Sequence, residues 1–154
     1  MTKGLLKSKT FPMPNEITIQ TNIPADIQTV WKLYTSPEHI IHWNFADPSW
    51  HCPSASIDLK KGGAYKARME AKDGSFGFDF EAVIEEVKEP TRLVYILGDN
   101  RNVKVDLKET NQSTEVVVCF DAENENPLEM QREGWQSILN QFKTYVELKK
   151  TPQS

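Results

Sequence analysis

The sequence predicts an α+β domain: a curved antiparallel sheet of about seven strands wrapped on one long C-terminal helix, with two short helices after the first strand. Three observations carry this. Period-two patterning returns in run after run from residue 55 to residue 120, separated by short turns. Two short stretches of helical period come before it, ahead of residue 44. The last long segment, "NPLEMQREGWQSILNQFKTYVELKK", carries an apolar stripe, and the sheet's inner face is the surface large enough to bury it.

Each element has its own reason. Residues 1–15, with Pro12 and Pro14, read as an irregular extension. "EITIQTNI" alternates apolar and polar residues, as a half-buried strand does. Pro24 then suits the first turn of a helix that puts Ile27, Val30, Trp31 and Tyr34 on one face. "SPEHIIHW" restarts a short helix with Ser36 as cap and Pro37 at its first position. A loop rich in Pro and Ser follows and contains Cys52; "ASIDLKKGG" then ends in a Gly-Gly turn. Gly62 and Gly63 there suit positive φ.

"AYKARMEAKDGSFGFDFEAVIEEV" reads as a hairpin around Asp73-Gly74. Pairing Arg68 with Asp79 and Lys66 with Glu81 gives one charged face, with Tyr65, Ala67 and Met69 opposite Phe78, Phe80 and Ala82 on the other. "TRLVYILG", "NVKVDLKE" and "STEVVVCF" are three further strands, separated by the turns "GDNR" and "TNQS". The last helix has Asn126 as cap, Pro127 at its first position and Glu129 completing a capping box. Gly134 suits a close approach of that helix to the sheet beside Trp135. The domain is expected over 16–149, with a tail at 150–154.

Composition excludes several function classes. A chain of 154 residues suits one domain and buries about 70% of its unfolded surface, so neither disulfide nor metal is needed to fold it. The net charge is −4 with dispersed lysines and arginines, which argues against a nucleic-acid face. No apolar run reaches the ~20 residues of a membrane span, and the first residues do not form a secretory signal. A cytoplasmic protein with free thiols at Cys52 and Cys119 is expected.

The order of elements and four short motifs resemble a known family. "IPADIQTVWKLYTSPEHIIHW", "DLKKGGAYKARM", "DGSFGFDFEAVIEEVKEPTRLVY" and "REGWQSILNQFKTYVE" are similar to segments of the START-like (SRPBCC) superfamily, in the branch named after the heat-shock protein 90 ATPase activator. The resemblance covers residues 16–148 and implies the helix-grip fold. It also implies a cavity between the last helix and the curved sheet. The superfamily spans lipid and hormone carriers, polyketide cyclases, antibiotic self-resistance proteins and co-chaperone domains, so the fold does not fix the function. The resemblance brings no catalytic residue.

The residues themselves suggest where a ligand would sit. Trp43, Phe45 and Trp50 are large aromatics in an irregular stretch and are expected to form a lid at the cavity mouth. Tyr65, Met69, Phe78, Phe80 and Tyr95 fall on the sheet's inner face, and Trp135, Leu139 and Phe142 on the stripe of the last helix. His39 and His42 share a helix face, but with His51 and Cys52 they match no zinc spacing, so no metal is expected. No phosphate loop, dinucleotide fingerprint or nucleophile triad occurs, so no cofactor is expected.

The expected function is that of a carrier, sensor or sequestering protein for a small apolar or aromatic molecule, with no chemistry evident and a homodimer left open. One alternative is a co-chaperone-type interaction module, using the acidic stretch 121–129 or the Lys60-Lys61 turn. The other is a cyclase-like or hydrolytic enzyme, which would need a titrating group on the inner face, such as His42, His51, Tyr65 or Tyr95.

Overall fold

The structure, a computed structural model, describes residues 15–150. The extension expected at 1–15 and the tail at 150–154 lie almost wholly outside the described residues. The elements are β1 (Glu16–Ile23), α1 (Ile27–Thr35), α2 (Pro37–Ile40), β2 (Trp50–Ile57), β3 (Ala64–Ala71), β4 (Gly77–Lys88), β5 (Arg92–Leu97), β6 (Asn102–Thr110), β7 (Ser113–Asp121) and α3 (Leu128–Lys150). The sheet order is β1-β7-β6-β5-β4-β3-β2, antiparallel throughout. Strands β2 to β7 form a meander and β1 pairs beside β7. This is the helix-grip arrangement, with α3 held against the sheet's concave face.

The hairpin register is the one the charges require: Arg68 faces Asp79, Lys66 faces Glu81, Ala67 faces Phe80 and Met69 faces Phe78. Arg68 donates to both Glu70 and Asp79 on the outer face. On the same face Nη1 of Arg92 on β5 donates to both carboxylate oxygens of Asp106 on β6, at 2.7 and 2.9 Å. Register shifts occur between His51 and Ser54 on β2 and between Ile84 and Glu86 on β4, and such bulges bend a sheet.

Several local expectations are corrected. Cys52 lies buried on a strand, because β2 starts at Trp50 rather than near Ala55. Its sequence reads as a loop because of Pro53, but β2 is an edge strand and the bulge accommodates a residue without an N–H. Helix α1 is capped by Asp26, whose carboxylate accepts from the Thr29 amide at 3.1 Å, so Pro24 precedes the helix. Ser36 precedes α2 but makes no capping bond; its hydroxyl donates to the Lys32 carbonyl at 2.6 Å.

No capping box forms at α3. The Asn126 side chain donates to Glu123, whose carboxylate also accepts from the amides of Glu125 and Asn126. Buried Gln131 braces the turn, its amide nitrogen donating to the carbonyls of Glu123 and Asn126 and its oxygen accepting from the Glu123 amide. Of the glycine pair, only Gly62 has positive φ, at 85°. Gly63 is needed for space, because a Cβ there would collide with the Asp58 carbonyl. Gly134 has open space around it, so it is not what brings α3 close to the sheet.

The core runs from β1, β7 and β6 to the C-terminal part of α3, with Ile17, Val103, Val116, Phe120, Phe142 and Val146 among its fully buried residues. The backbone of α3 lies close to β1 and α1. It also covers β1's outer edge: Arg132 donates to the Thr18 carbonyl at 2.9 Å and Gln136 to the Gln20 carbonyl at 3.2 Å. Among the described residues, no helix is long and apolar enough to cross a membrane.

Candidate ligand-binding site

Between α3 and the inner face of strands β3 to β5 lies a cavity of about 290 Å³. Its walls come from every layer of the fold. Strand side chains are Ile19, Tyr65, Met69, Phe78, Phe80, Tyr95, Leu97 and Val118; helix side chains are Tyr34, Gln131, Trp135, Ile138 and Leu139. Trp43, Asn44, Arg101 and Glu123 complete the lining from loops.

Meander geometry gives the cavity a direction. Alternate turns of a meander lie at the same end of the sheet. The β3–β4 turn, the β5–β6 turn, the end of β7 and the start of α3 therefore share one end. Phe78, Arg101, Glu123 and Gln131 all belong to that end, and Phe78 is 45% exposed although it lines the cavity, which marks the mouth. Tyr65, near the start of β3, and Leu139, two turns beyond Gln131 on α3, lie deeper.

Eight of the sequence-expected residues meet at this cavity: Trp43, Tyr65, Met69, Phe78, Phe80, Tyr95, Trp135 and Leu139. Three do not line it. Phe142 is fully buried, edge-on to Tyr34 and Trp43 at centroid distances of 5.0 and 4.9 Å, so it supports the wall from behind. Trp50 packs against Phe76 and Phe78 at the outer lip, and Phe45 is half-buried beyond the cavity. Trp43 is a fixed wall rather than a lid. It is 3% exposed, its indole donates to the Leu33 carbonyl at 3.1 Å, and its ring stacks on Tyr34 at 5.1 Å.

The histidines of the 39–52 stretch have other partners. Nδ1 of His39 lies 2.6 Å from the Tyr145 hydroxyl, and His42 stacks on the same ring. His51 lies 3.5 Å from Glu70 on the outer face. Among the described residues, no three His, Cys, Asp or Glu side chains are grouped to hold a metal ion.

The sequence reading did not single out Tyr34, Arg101, Glu123 or Gln131 as site residues. Tyr34 sits at helical spacing with Val30 and Trp31, which signals an inward side chain without separating core from cavity. Arg101 and Glu123 lie in turns and Gln131 in the first turn of α3, and the alternation of meander ends was the available signal for them.

Polar groups in the cavity are few and distinctive. Tyr34, Tyr65 and Tyr95 come from α1, β3 and β5, and Tyr65 and Tyr95 meet edge to face at 5.2 Å. Among the described residues, none of the three hydroxyls has a hydrogen-bond partner. Burial pushes all three phenols above their ordinary range. A charge on Tyr34 would raise Tyr65 and Tyr95 further, and one on Tyr65 would raise Tyr95, so the three share one neighbourhood. At the rim, Arg101 is held by Asp99 through Nε at 2.8 and 3.0 Å. The Glu123 carboxyl is lowered by the Asn126 side chain, then by the Glu125 amide, with the Arg101 charge adding to this.

Comparison with known proteins agrees with this architecture. No curated protein matches the chain. A solution structure of an AHSA1-like protein from Aeromonas hydrophila superposes with a TM-score of 0.84 at 38% identity, covering 90% of this chain and 96% of that one. The Chr148 protein of Cytophaga hutchinsonii, at 43% identity, gives 0.76 over 91% and 97% of the two chains. The NE0264 protein of Nitrosomonas europaea, at 18% identity, shares the fold with a TM-score of 0.78 over 91% and 99%. The family model described as "Activator of Hsp90 ATPase homolog 1-like protein" matches residues 24–147. With that match across most of its length and the helix-grip fold around it, the chain belongs to the Activator of Hsp90 ATPase homolog 1-like family, within the START-like superfamily.

Proposed function

We propose that this protein binds a small apolar or aromatic molecule in the cavity between α3 and the sheet, acting in the cytoplasm as a carrier, sensor or sequestering protein. The observation that carries the reading is the cavity: about 290 Å³, walled by aromatic and aliphatic side chains with a few polar groups among them. Ligand pockets have this make-up and start at roughly 300 Å³, which here suits a molecule of one or two rings.

The buried phenols favour binding over acid–base chemistry. A general acid or base works best with its pKa near the working pH, and burial moves these three away from it. At neutral pH they remain hydrogen-bond donors. The co-chaperone-type reading draws on the family's name and on exposed Leu128 and Met130 beside the acidic 121–129 stretch. It does not account for the cavity.

Native mass spectrometry of the purified protein, set against its denatured mass, tests the proposal. An organic adduct lost on denaturation, together with saturable quenching of Trp43 and Trp135 fluorescence by small aromatic compounds, is the expected result. A bare protein with no such quenching rejects it.

A further inference from the structure

We infer that the molecule this cavity takes is uncharged and buries a hydrogen-bond-accepting oxygen, such as a ketone carbonyl, against the hydroxyls of Tyr34, Tyr65 and Tyr95. The inference rests on the cavity-binding reading and adds the chemistry of the ligand to it.

A buried polar group without a partner is costly, and native proteins leave few of them. Here three lie on one cavity, from three different elements; Tyr65 and Tyr95 are buried and Tyr34 half-buried, and none is satisfied by the described residues. Purely apolar cargo would need none of them, since phenylalanine would fill the same wall. Each phenol offers one O–H, and a carbonyl oxygen has two lone pairs, so two phenols can donate to one oxygen. The third remains available to a water or to a second polar atom of the ligand.

The charge follows from what else lines the cavity. The charged lining residues are Arg101 and Glu123, which are opposite in sign and sit at the mouth. Among the described residues no cationic side chain lines the deep end, where an anion would be desolvated without a counter-charge. The aromatic walls suit a ring system: Tyr34 stacks on Trp43 at 5.1 Å, and Phe80 meets Tyr65 edge-on at 5.3 Å.

A matched series tests this with the full-length protein: naphthalene, 2-acetylnaphthalene and 2-naphthoate, titrated by calorimetry. The three share a ring system and differ in the oxygen group. The neutral ketone is expected to bind about five-fold or more tighter than naphthalene, and the carboxylate more weakly than the ketone. A Tyr34→Phe, Tyr65→Phe and Tyr95→Phe triple variant keeps the rings and should reduce the ketone-to-naphthalene preference to near one, the ketone losing affinity relative to naphthalene. The carbonyl ¹³C resonance of bound 2-acetylnaphthalene should move downfield in the wild type and return toward its apolar-solvent position in the triple variant. Single variants cover the case in which the triple variant fails to fold. Equal binding of ketone and naphthalene leaves the cavity reading intact and overturns this inference. Tightest binding of 2-naphthoate also overturns it, in favour of a carboxylate held by Arg101. Binding of none of the three rejects the cavity reading and this inference together.

Discussion

Helix α3 shows two different environments along one stripe. Its C-terminal half places Phe142 and Val146 in a fully buried core, with Phe142 edge-on to Tyr34 of α1 and to Trp43. Its N-terminal half places Gln131, Trp135 and Ile138 beside a cavity, with only Trp135 stacked closely, at 4.0 Å from Phe120. Both halves have the same spacing of apolar residues. What separates them is the surface they face: Phe142 packs on Tyr34 and Trp43, whereas Trp135 and Ile138 face the cavity whose far wall is β3 to β5. Stability therefore rests mainly in one half of the helix, while the other half faces the cavity proposed to take the ligand.

Substitutions along the helix should separate these roles. The largest effect is expected at Phe142. Phe142→Ala removes a buried ring that props both Tyr34 and Trp43, and should cost about 3–5 kcal/mol in urea unfolding. A loss below about 1 kcal/mol would show that the two halves are not distinct. Next is Ile138→Trp, which directs bulk into the cavity. It should weaken 2-acetylnaphthalene binding more than about ten-fold, which is about 1.4 kcal/mol, while shifting stability by less than that. Unchanged affinity would place the ligand elsewhere.

Gly134→Ala should be smaller and of opposite sign. The position is helical with open space around it, so alanine should stabilise the protein by up to about 1 kcal/mol and leave binding unchanged. A loss of stability would indicate a close neighbour at that site.

The smallest effect is a pH dependence where α2 meets α3. Burial holds His39 below its ordinary value of 6.5; Lys149, Lys32 and His42 push the same way, against Glu38. The unfolded chain therefore takes up this proton first as pH falls. The contribution of neutral His39 is complete above about 6.5 and is lost as pH drops through that value toward the lower folded one. Urea midpoints at pH 7.5 and 5.5 should differ more for the wild type than for His39→Phe. Equal differences would remove His39 as the cause.

The fold was largely legible because its signals are local and agree with one another. Alternating residues set the hairpin register down to Arg68 opposite Asp79. The site was legible only in part. Periodicity says that Tyr34, Phe142 and Leu139 point inward, but whether inward means core or cavity depends on sheet curvature, which arises from pairings far apart in sequence. Trp50 was misplaced for a different reason: Pro53 gives a strand the composition of a loop, and only its position at the sheet edge makes that tolerable. The rim pairing of Arg101 with Asp99 is local, yet its position near Glu123 depends on two turns meeting at the same end of the meander.

The covering of β1 by α3 has a consequence for assembly. An open sheet has two edges, and an exposed edge is a template for strand addition by other chains. On one side Arg132 and Gln136 occupy the carbonyls of Thr18 and Gln20; on the other Pro53 and a bulge interrupt β2. Copies of this protein are thereby discouraged from joining edge to edge, so a dimer would have to use another face. The same arrangement makes docking of α3 a safeguard during folding: until the helix is seated, those β1 carbonyls remain open to intermolecular pairing.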